Sequence, residues 1–448
     1  MKKSNLTRRE FLATASVGAV ATAVSGAIPA YANVTKEAST PAILGGQPVR
    51  TKPFPDWPVW NRADEESVLA VLRSGQWWRG GGHVVSEFEE KYAKLMGAKR
   101  CLAVVNGTNA LLVSLHTLGV GAGDEVIVPP YTFVATISVV LLSNALPVFV
   151  DTDPDTFQIN TDKIEEKITE HTRAIIPVHI LGGVANMDKV NAIAKKHSLK
   201  VIEDACQAHL AEWRNKKVGT LGDLGCFSFQ NSKHLPCGEG GAILGDDEQI
   251  MDRCHSFHNC GRPYRTVKGQ GYPILGTNIR MTEYQAAVLI AQMKRIEEDA
   301  KKRTENANYL TSKIKDIPGI VPQKFYEEAT TVAYHLYAFR YKKEHFNNLP
   351  REKFLSALRA EGIPCSEGYT PLNKQGTIEN TLNSRNFQTI FSKDRLDKYR
   401  QQNNCPDNDQ LCRESMWFVQ SMLLGTNSDM DDIADAMLKI YENKNKLV

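Results

Sequence analysis

Residues 227–244 read FSFQNSKHLPCGEGGAIL, with one lysine, Lys233, set between an aromatic run and a cluster of glycines. Phe227 and Phe229 alternate with polar side chains as the two faces of a strand do. Gly238, Gly240 and Gly241 let the chain turn sharply after the lysine and keep bulk away from it. Lys233 therefore stands just past a strand end, where backbone can come close to a ligand.

Working outward, residues 100–244 alternate short β-branched runs with helical patterns. CLAVV, EVIVP, LPVFVD, AIIPVH, KVIED and CFSFQ read as buried strands. ALLVSLHTLGV, TISVVLLSNA and MDKVNAIAKKHS read as the helices between them. This βαβ rhythm predicts an α/β fold with a mostly parallel sheet covered by helices on both faces. Ligands of such sheets bind beyond the carboxyl ends of the strands, and three polar groups fall there. Gly107, Thr108 and Asn109 follow CLAVV and open a helix whose free amides suit a phosphate, or are simply a capped strand-to-helix turn. Asp204 ends KVIED, where a carboxylate is expensive to bury without a purpose. Lys233 follows CFSFQ.

A lysine at a glycine-rich strand end, a neighbouring carboxylate and a phosphate cradle together suit pyridoxal 5'-phosphate. Its aldehyde needs a desolvated amine, its ring nitrogen a buried acid, and its phosphate a set of amide and hydroxyl donors.

Over almost all of residues 44–448 the chain resembles the DegT/DnrJ/EryC1/StrS family of fold-type I aminotransferases. The resemblance is carried by ILGGQPVR, VVNGTNAL, DEVIVPPYTFVAT, AIIPVHILGG, VIEDACQAHLAEW, VGTLGDLGCFSFQNSKHLPCGEGGAI, GTNIRMTEYQAA and GIPCSEGYTPL. It implies that Lys233 binds the cofactor covalently and shuttles protons, that Asp204 pairs with the pyridinium and that Gln207 lies near the ring hydroxyl. Gly107, Thr108 and Ser228 would hold the phosphate, Phe133 would stack on the ring, and Asn278 would arrive from the second subunit of a homodimer. His179 and His209 lie near the site, either as participants or as satisfied structural histidines. Arg280 is a candidate for the donor carboxylate.

The resemblance implies transfer of an amino group from glutamine or glutamate to a keto-cyclitol or keto-sugar, donor and acceptor reacting in turn. ILGGQPVR, FSFQNSK and LLGTNSDMDDI are similar to the branch that aminates scyllo-inosose. Asn373 stands after TPL, where many members acting on nucleotide-linked sugars have histidine, which favours a free ring as acceptor. Two other readings have discriminators in the sequence. A pyridoxamine-dependent sugar dehydratase would carry histidine in place of Lys233, and a non-catalytic exported carbohydrate-binding or sensory protein would have lost Lys233, Asp204 or Ser228.

Residues 1–32 read as a twin-arginine export signal: Thr7 to Leu12 spell TRREFL, an apolar stretch follows, and Ala30-Tyr31-Ala32 offers a cleavage site. They also account for the whole formal charge of +3. The balanced remainder offers no footprint for nucleic acid or an anionic membrane, and no later stretch is apolar enough to span a bilayer. The sequence thus divides into a signal at 1–32, a linker at 33–43, a large cofactor-binding domain at 44–295 and a smaller α+β domain at 296–448. The 9 cysteines have no zinc-finger spacing, and the cluster Cys254, His255, His258 and Cys260 matches no defensible metal geometry. Cys405 and Cys412 could pair in an oxidising compartment. Residues 373–412 read as a polar, irregular loop over a site or a surface insertion.

Overall fold

The computed structural model describes residues 39–448, so the signal expected at 1–32 lies outside the described residues. After helices α1 (Arg62–Ser74) and α2 (Val84–Met96), the expected alternation unfolds as β1 (Arg100–Val104), α3 (Gly107–Thr117), β2 (Glu125–Val128), α4 (Ala135–Leu142), β3 (Leu146–Phe149) and β4 (Thr172–Ile175). It continues through α5 (Met187–His197), β5 (Lys200–Asp204), the small hairpin β6 (Glu212–Trp213) and β7 (Lys216–Lys217), β8 (Leu224–Ser228), β9 (Gly241–Gly245) and α6 (Glu248–His258).

Seven strands form one sheet in the order β1-β9-β8-β5-β4-β2-β3. Every pairing from β8 to β3 is parallel, whereas β9 runs antiparallel to both β1 and β8. The carboxyl ends of β1, β5 and β8 therefore share one rim. Side chains along a strand point alternately to opposite faces, and here both faces are apolar: Leu102, Val126, Ile202 and Cys226 enter one core with α3 and α4, while Ala103, Ile127, Val201 and Phe227 enter another with α2 and α5. That is why the strands read as unbroken apolar runs. Side-chain caps start the helices, with Asn106 accepting from Asn109 N at 2.9 Å ahead of α3 and Asn186 from Lys189 N at 3.1 Å ahead of α5.

The glycines after Lys233 serve the protein itself. Gly238 has φ +87° and turns the chain back. A Cβ on Gly241 would stand 2.4 Å from the carbonyl carbon and oxygen of Asn106, so only glycine lets β9 pass the turn that opens α3. Gly241 pairs with Val104 on one side and Ser228 on the other.

The helical pattern after Met281 breaks at residues 293–295, giving α7 (Glu283–Gln292) and α8 (Ile296–Ile314). Beyond it, β10 (Ile320–Pro322), β11 (Leu336–Tyr341), α9 (Arg351–Ala360) and β12 (Ser366–Glu367) precede four helices: α10 (Gly376–Leu382), α11 (Arg385–Ile390), α12 (Lys393–Gln402) and α13 (Pro406–Glu414). Strand β13 (Ser415–Val419) and helix α14 (Asn427–Glu442) follow. An antiparallel sheet β10-β11-β13-β12 packs with α8, α9 and α14 through Leu310, Phe354, Phe418 and Ile433.

Residues 373–412 are thus helical rather than irregular, and they are no surface insertion. Ile378, Leu382, Phe387, Phe391, Leu396 and Tyr399 join the core on the β3 side of the large sheet. Tyr399 Oη donates to Pro147 O of β3 at 3.0 Å. These helices cover an edge strand that would otherwise be open to pairing. Cys405 caps α13 and Cys412 lies seven residues further along the same helix, roughly 10 Å of rise, which is beyond disulfide reach. Both thiols are free.

Candidate active site

The shared rim holds a cavity of about 570 Å³, a volume suited to a small ligand. Of the nine expected site residues, Gly107, Thr108, Phe133, Asp204, Gln207, Ser228 and Lys233 all line it. Asn109 does not: its side-chain amide donates to Asn106 Oδ1 at 3.0 Å and belongs to the cap of α3. Asn278 is exposed, bridged to Asn259, and is outside the lining. Arg280 also stays outside, donating to Asn259 Oδ1 at 2.9 Å.

Asp204 ends β5 and is buried. Its Oδ2 accepts from Thr136 Oγ1 at 2.8 Å and its Oδ1 from Cys206 N at 3.2 Å, which fixes the carboxylate plane. Glu203, one residue earlier, points to the other face. It accepts from Gly219, Leu221 and Gly222 N at 2.7, 2.6 and 2.7 Å and meets His179 Nε2 at 2.9 Å. His179 Nδ1 accepts from Ala185 N at 3.2 Å, so both ring nitrogens are satisfied away from the cavity. His209 is likewise structural: Nε2 donates to Ser228 O at 2.9 Å, Nδ1 meets Tyr92 Oη at 3.0 Å, and burial pushes its basicity down to about 3.

Lys233 sits on the loop between β8 and β9, its own carbonyl accepting from Trp57 Nε1 at 3.2 Å. Burial pushes its pKa below the ordinary lysine value of 10.5, opposed by the nearby Cys206 and Asp204. A larger share of neutral amine near neutral pH is what attack on a carbonyl requires. Its Nζ lies 3.4 Å from Nε2 of His335.

In the same cavity, Gly107 opens α3. A Cβ there would stand 2.8 Å from Ser228 Cβ and 2.9 Å from Cys206 Sγ, so the glycine keeps the amides of the helix start beside the Ser228 hydroxyl. These groups fit a phosphate. Gln207 also lines the cavity: its Oε1 accepts from Leu181 N at 2.9 Å and its Nε2 donates to Tyr369 Oη at 3.0 Å. Phe133 is 56% exposed, a large apolar side chain left open beside the cavity. The residues present therefore fit pyridoxal 5'-phosphate: Gly107, Thr108 and Ser228 would hold its phosphate, Phe133 and Asp204 its ring, and Lys233 its aldehyde.

Thr136, Cys206, His335 and Tyr369 also line or support the site without having been singled out in the sequence. Thr136 is one helical turn past Thr132 in the YTFVAT stretch, and Tyr369 lies in GYTPL, so both had a signal. Nothing in the spacing around His335 points to Lys233. Asn373 is buried and outside the cavity, its carbonyl accepting from Asn403 Nδ2 at 2.7 Å.

A half-buried lysine and a pinned carboxylate that line one cavity with a glycine-opened helix start define a fold-type I, cofactor-dependent transferase site. The comparisons narrow the class. Residues 60–437 match the DegT/DnrJ/EryC1/StrS aminotransferase family, and the chain belongs to it. It is 38% identical to a putative L-glutamine:3-amino-2,3-dideoxy-scyllo-inosose aminotransferase of Streptoalloteichus tenebrarius over 91% of this chain and 99% of that protein. It is 36% identical to the L-glutamine:2-deoxy-scyllo-inosose aminotransferase of the same organism over 91% and 98% of the two chains. The crystal structure of an aminotransferase from Psychrobacter cryohalolentis is similar at a TM-score of 0.77 and 31% identity, covering 88% of this chain and 100% of that one.

The lowered basicity of Lys233 sets its pH behaviour. Purified protein mixed with pyridoxal 5'-phosphate and reduced with borohydride is expected to carry the label on Lys233, with capture rising through a midpoint below pH 10.5. Lys233→Ala should abolish the label, and peptide mass spectrometry reads both results. A label that persists elsewhere at full yield contradicts the assignment.

Proposed function

We propose that this aminotransferase uses pyridoxal 5'-phosphate to move an amino group from glutamine or glutamate to a ketone on a free cyclitol or sugar ring. The convergence of Lys233, Asp204 and the N-terminus of α3 in one cavity carries this reading, and the names of the relatives support the substrate class.

When bound, the cofactor supplies an aldehyde and an electron-poor ring that can take up charge from the substrate carbon. The protein supplies the rest. Lys233, as neutral amine, would move a proton from the donor's α-carbon to the cofactor in the first half of the exchange and from the cofactor to the acceptor's ring carbon in the second. Asp204, held by Thr136 and the Cys206 amide, keeps a proton on the ring nitrogen. Gln207, held by Leu181 N and Tyr369, is set at the ring hydroxyl. Gly107, Thr108 and Ser228 hold the phosphate, and Phe133 covers the ring. The donor leaves as a 2-oxo acid before the ring ketone enters and departs as an amine.

The working unit is a homodimer with shared sites. Asn278 is exposed, as are Tyr272 and Leu275 shortly before it in the chain and Trp78, which bridges to Thr282, an apolar group that a second copy would cover. Residues 1–32 direct the folded, loaded protein through the twin-arginine route to the periplasm.

Three measurements test these statements. Converting the protein to its amine form with glutamine and then adding keto-cyclitols or keto-sugars should restore the aldehyde-form absorbance with a free keto-cyclitol and not with nucleotide-linked sugars; the reverse preference overturns the acceptor class. Lys233→Ala and Asn278→Ala, each inactive alone, should recover about a quarter to a half of wild-type activity when co-expressed, since mixed dimers regain one intact site; no recovery sinks the shared-site reading. Fractionation should find the wild type in the periplasm and Arg8→Lys/Arg9→Lys in the cytoplasm, and equal distributions would exclude the signal.

A further inference from the structure

Lys233 is a rotamer-rich side chain that, on the reading above, must spend part of each turnover as a free amine. A free lysine in an open cavity would wander, and misplacement of a catalytic group by even about 1 Å costs on the order of a hundredfold in rate. Among the described residues, one side chain stands within hydrogen-bond reach of the amine. His335, immediately before β11, is buried, and its Nε2 stands 3.4 Å from Lys233 Nζ.

We propose that His335 is the positioning residue of the cofactor lysine: its Nε2 accepts an N–H from Lys233 whenever that amine is free and holds it at the cavity wall. The inference rests on reading Lys233 as the cofactor lysine. For the ring to accept, it must be neutral with its proton on Nδ1, and its surroundings enforce neutrality. Burial comes first, then the positive Lys233, the imidazole of His209 and the guanidinium of Arg303. From the same loop as Lys233, the His234 ring packs edge-on at 5.5 Å from the His335 ring and donates its own Nε2–H to Ala333 O at 3.0 Å. Arg303, on α8, is fully buried over the Trp57 ring at 5.2 Å, and Trp57 in turn donates to the Lys233 carbonyl. Lys233 is thus gripped at its backbone by Trp57 and at its amine by His335. Among the described residues, His335 Nδ1 has no hydrogen-bond partner, which leaves Nε2 as the contact that this buried imidazole makes.

A charged donor forms the stronger hydrogen bond, so the contact stabilises the ammonium relative to the amine. Removing it lowers the lysine's pKa further and frees its motion. The test compares wild type, His335→Gln, which keeps an acceptor, and His335→Met, which does not. After removal of bound cofactor with hydroxylamine, trace acetylation across a pH series titrates Lys233 by peptide mass spectrometry. His335→Met should lower the midpoint by about one unit, a roughly tenfold gain in neutral amine at fixed pH. His335→Gln should stay within about threefold of wild type. In the loaded enzyme His335→Met should lose about ten- to a hundredfold in kcat with KM little changed, largely rescued in His335→Gln. The ring tautomer, read in wild type by 15N NMR, should be the Nδ1–H form. An unshifted titration in His335→Met, equal losses in both variants, or an Nε2–H tautomer overturns the proposal. If wild type captures no pyridoxal 5'-phosphate on Lys233, the reading of the lysine has failed instead; intact capture with unshifted His335 variants isolates the failure to this inference.

Discussion

The arrangement of the site depends on two carboxylates side by side at the end of one strand. Adjacent residues of a strand face opposite ways, so Glu203 and Asp204 divide the work. Glu203 is buried behind the sheet, where an unpaired charge would be prohibitive, and three backbone amides and His179 surround it. Those amides belong to residues 219–222, just before β8, so the carboxylate fastens the approach to β8 onto the end of β5. Asp204 is thereby presented to the cavity at a fixed height relative to Ser228 and Lys233, which follow on β8 and its loop. A carboxylate that stiffens the sheet thus aims the one that faces the ligand.

Much of this could be read from the chain because function here coincides with local signals. Strand ends, glycine positions and helix caps are short-range features, and they put Gly107, Asp204 and Lys233 on one rim, with Ser228 added by the family resemblance. Short, bounded, β-branched apolar runs could be told from the longer helical patterns even though both faces of the strands were apolar. What escaped were contacts closed over long distances. His335 and Lys233 are 102 residues apart in sequence, and Gln207 and Tyr369 are 162. No local pattern encodes either pairing. His179 and His209 were ambiguous for the opposite reason: a strand-end histidine looks the same in sequence whether its nitrogens are free or satisfied, and in both cases they are satisfied.

The polar tract at 373–412 illustrates a different failure. Its apolar residues are few and widely spaced among charged ones, so the segment resembles a loop. Spread over four short helices, those same residues land on one side and seal the outer strand of the large sheet. The chain thus crosses back from the small antiparallel sheet to the large one. The two parts of the molecule are covalently interleaved, which limits how far either can move without disturbing the other.

The reversed direction of β9 has a mechanical outcome. Because that strand returns beside β8, residues 229–240 leave and re-enter the sheet through neighbouring strands, and Phe229 N and Cys237 N close bonds across the loop to Gly240 O and Phe229 O. Such a segment resembles a bracket bolted at both feet more than a hinged arm. Reach within the cavity is then left to the lysine's own methylene chain, which stands on a main chain tied at both ends.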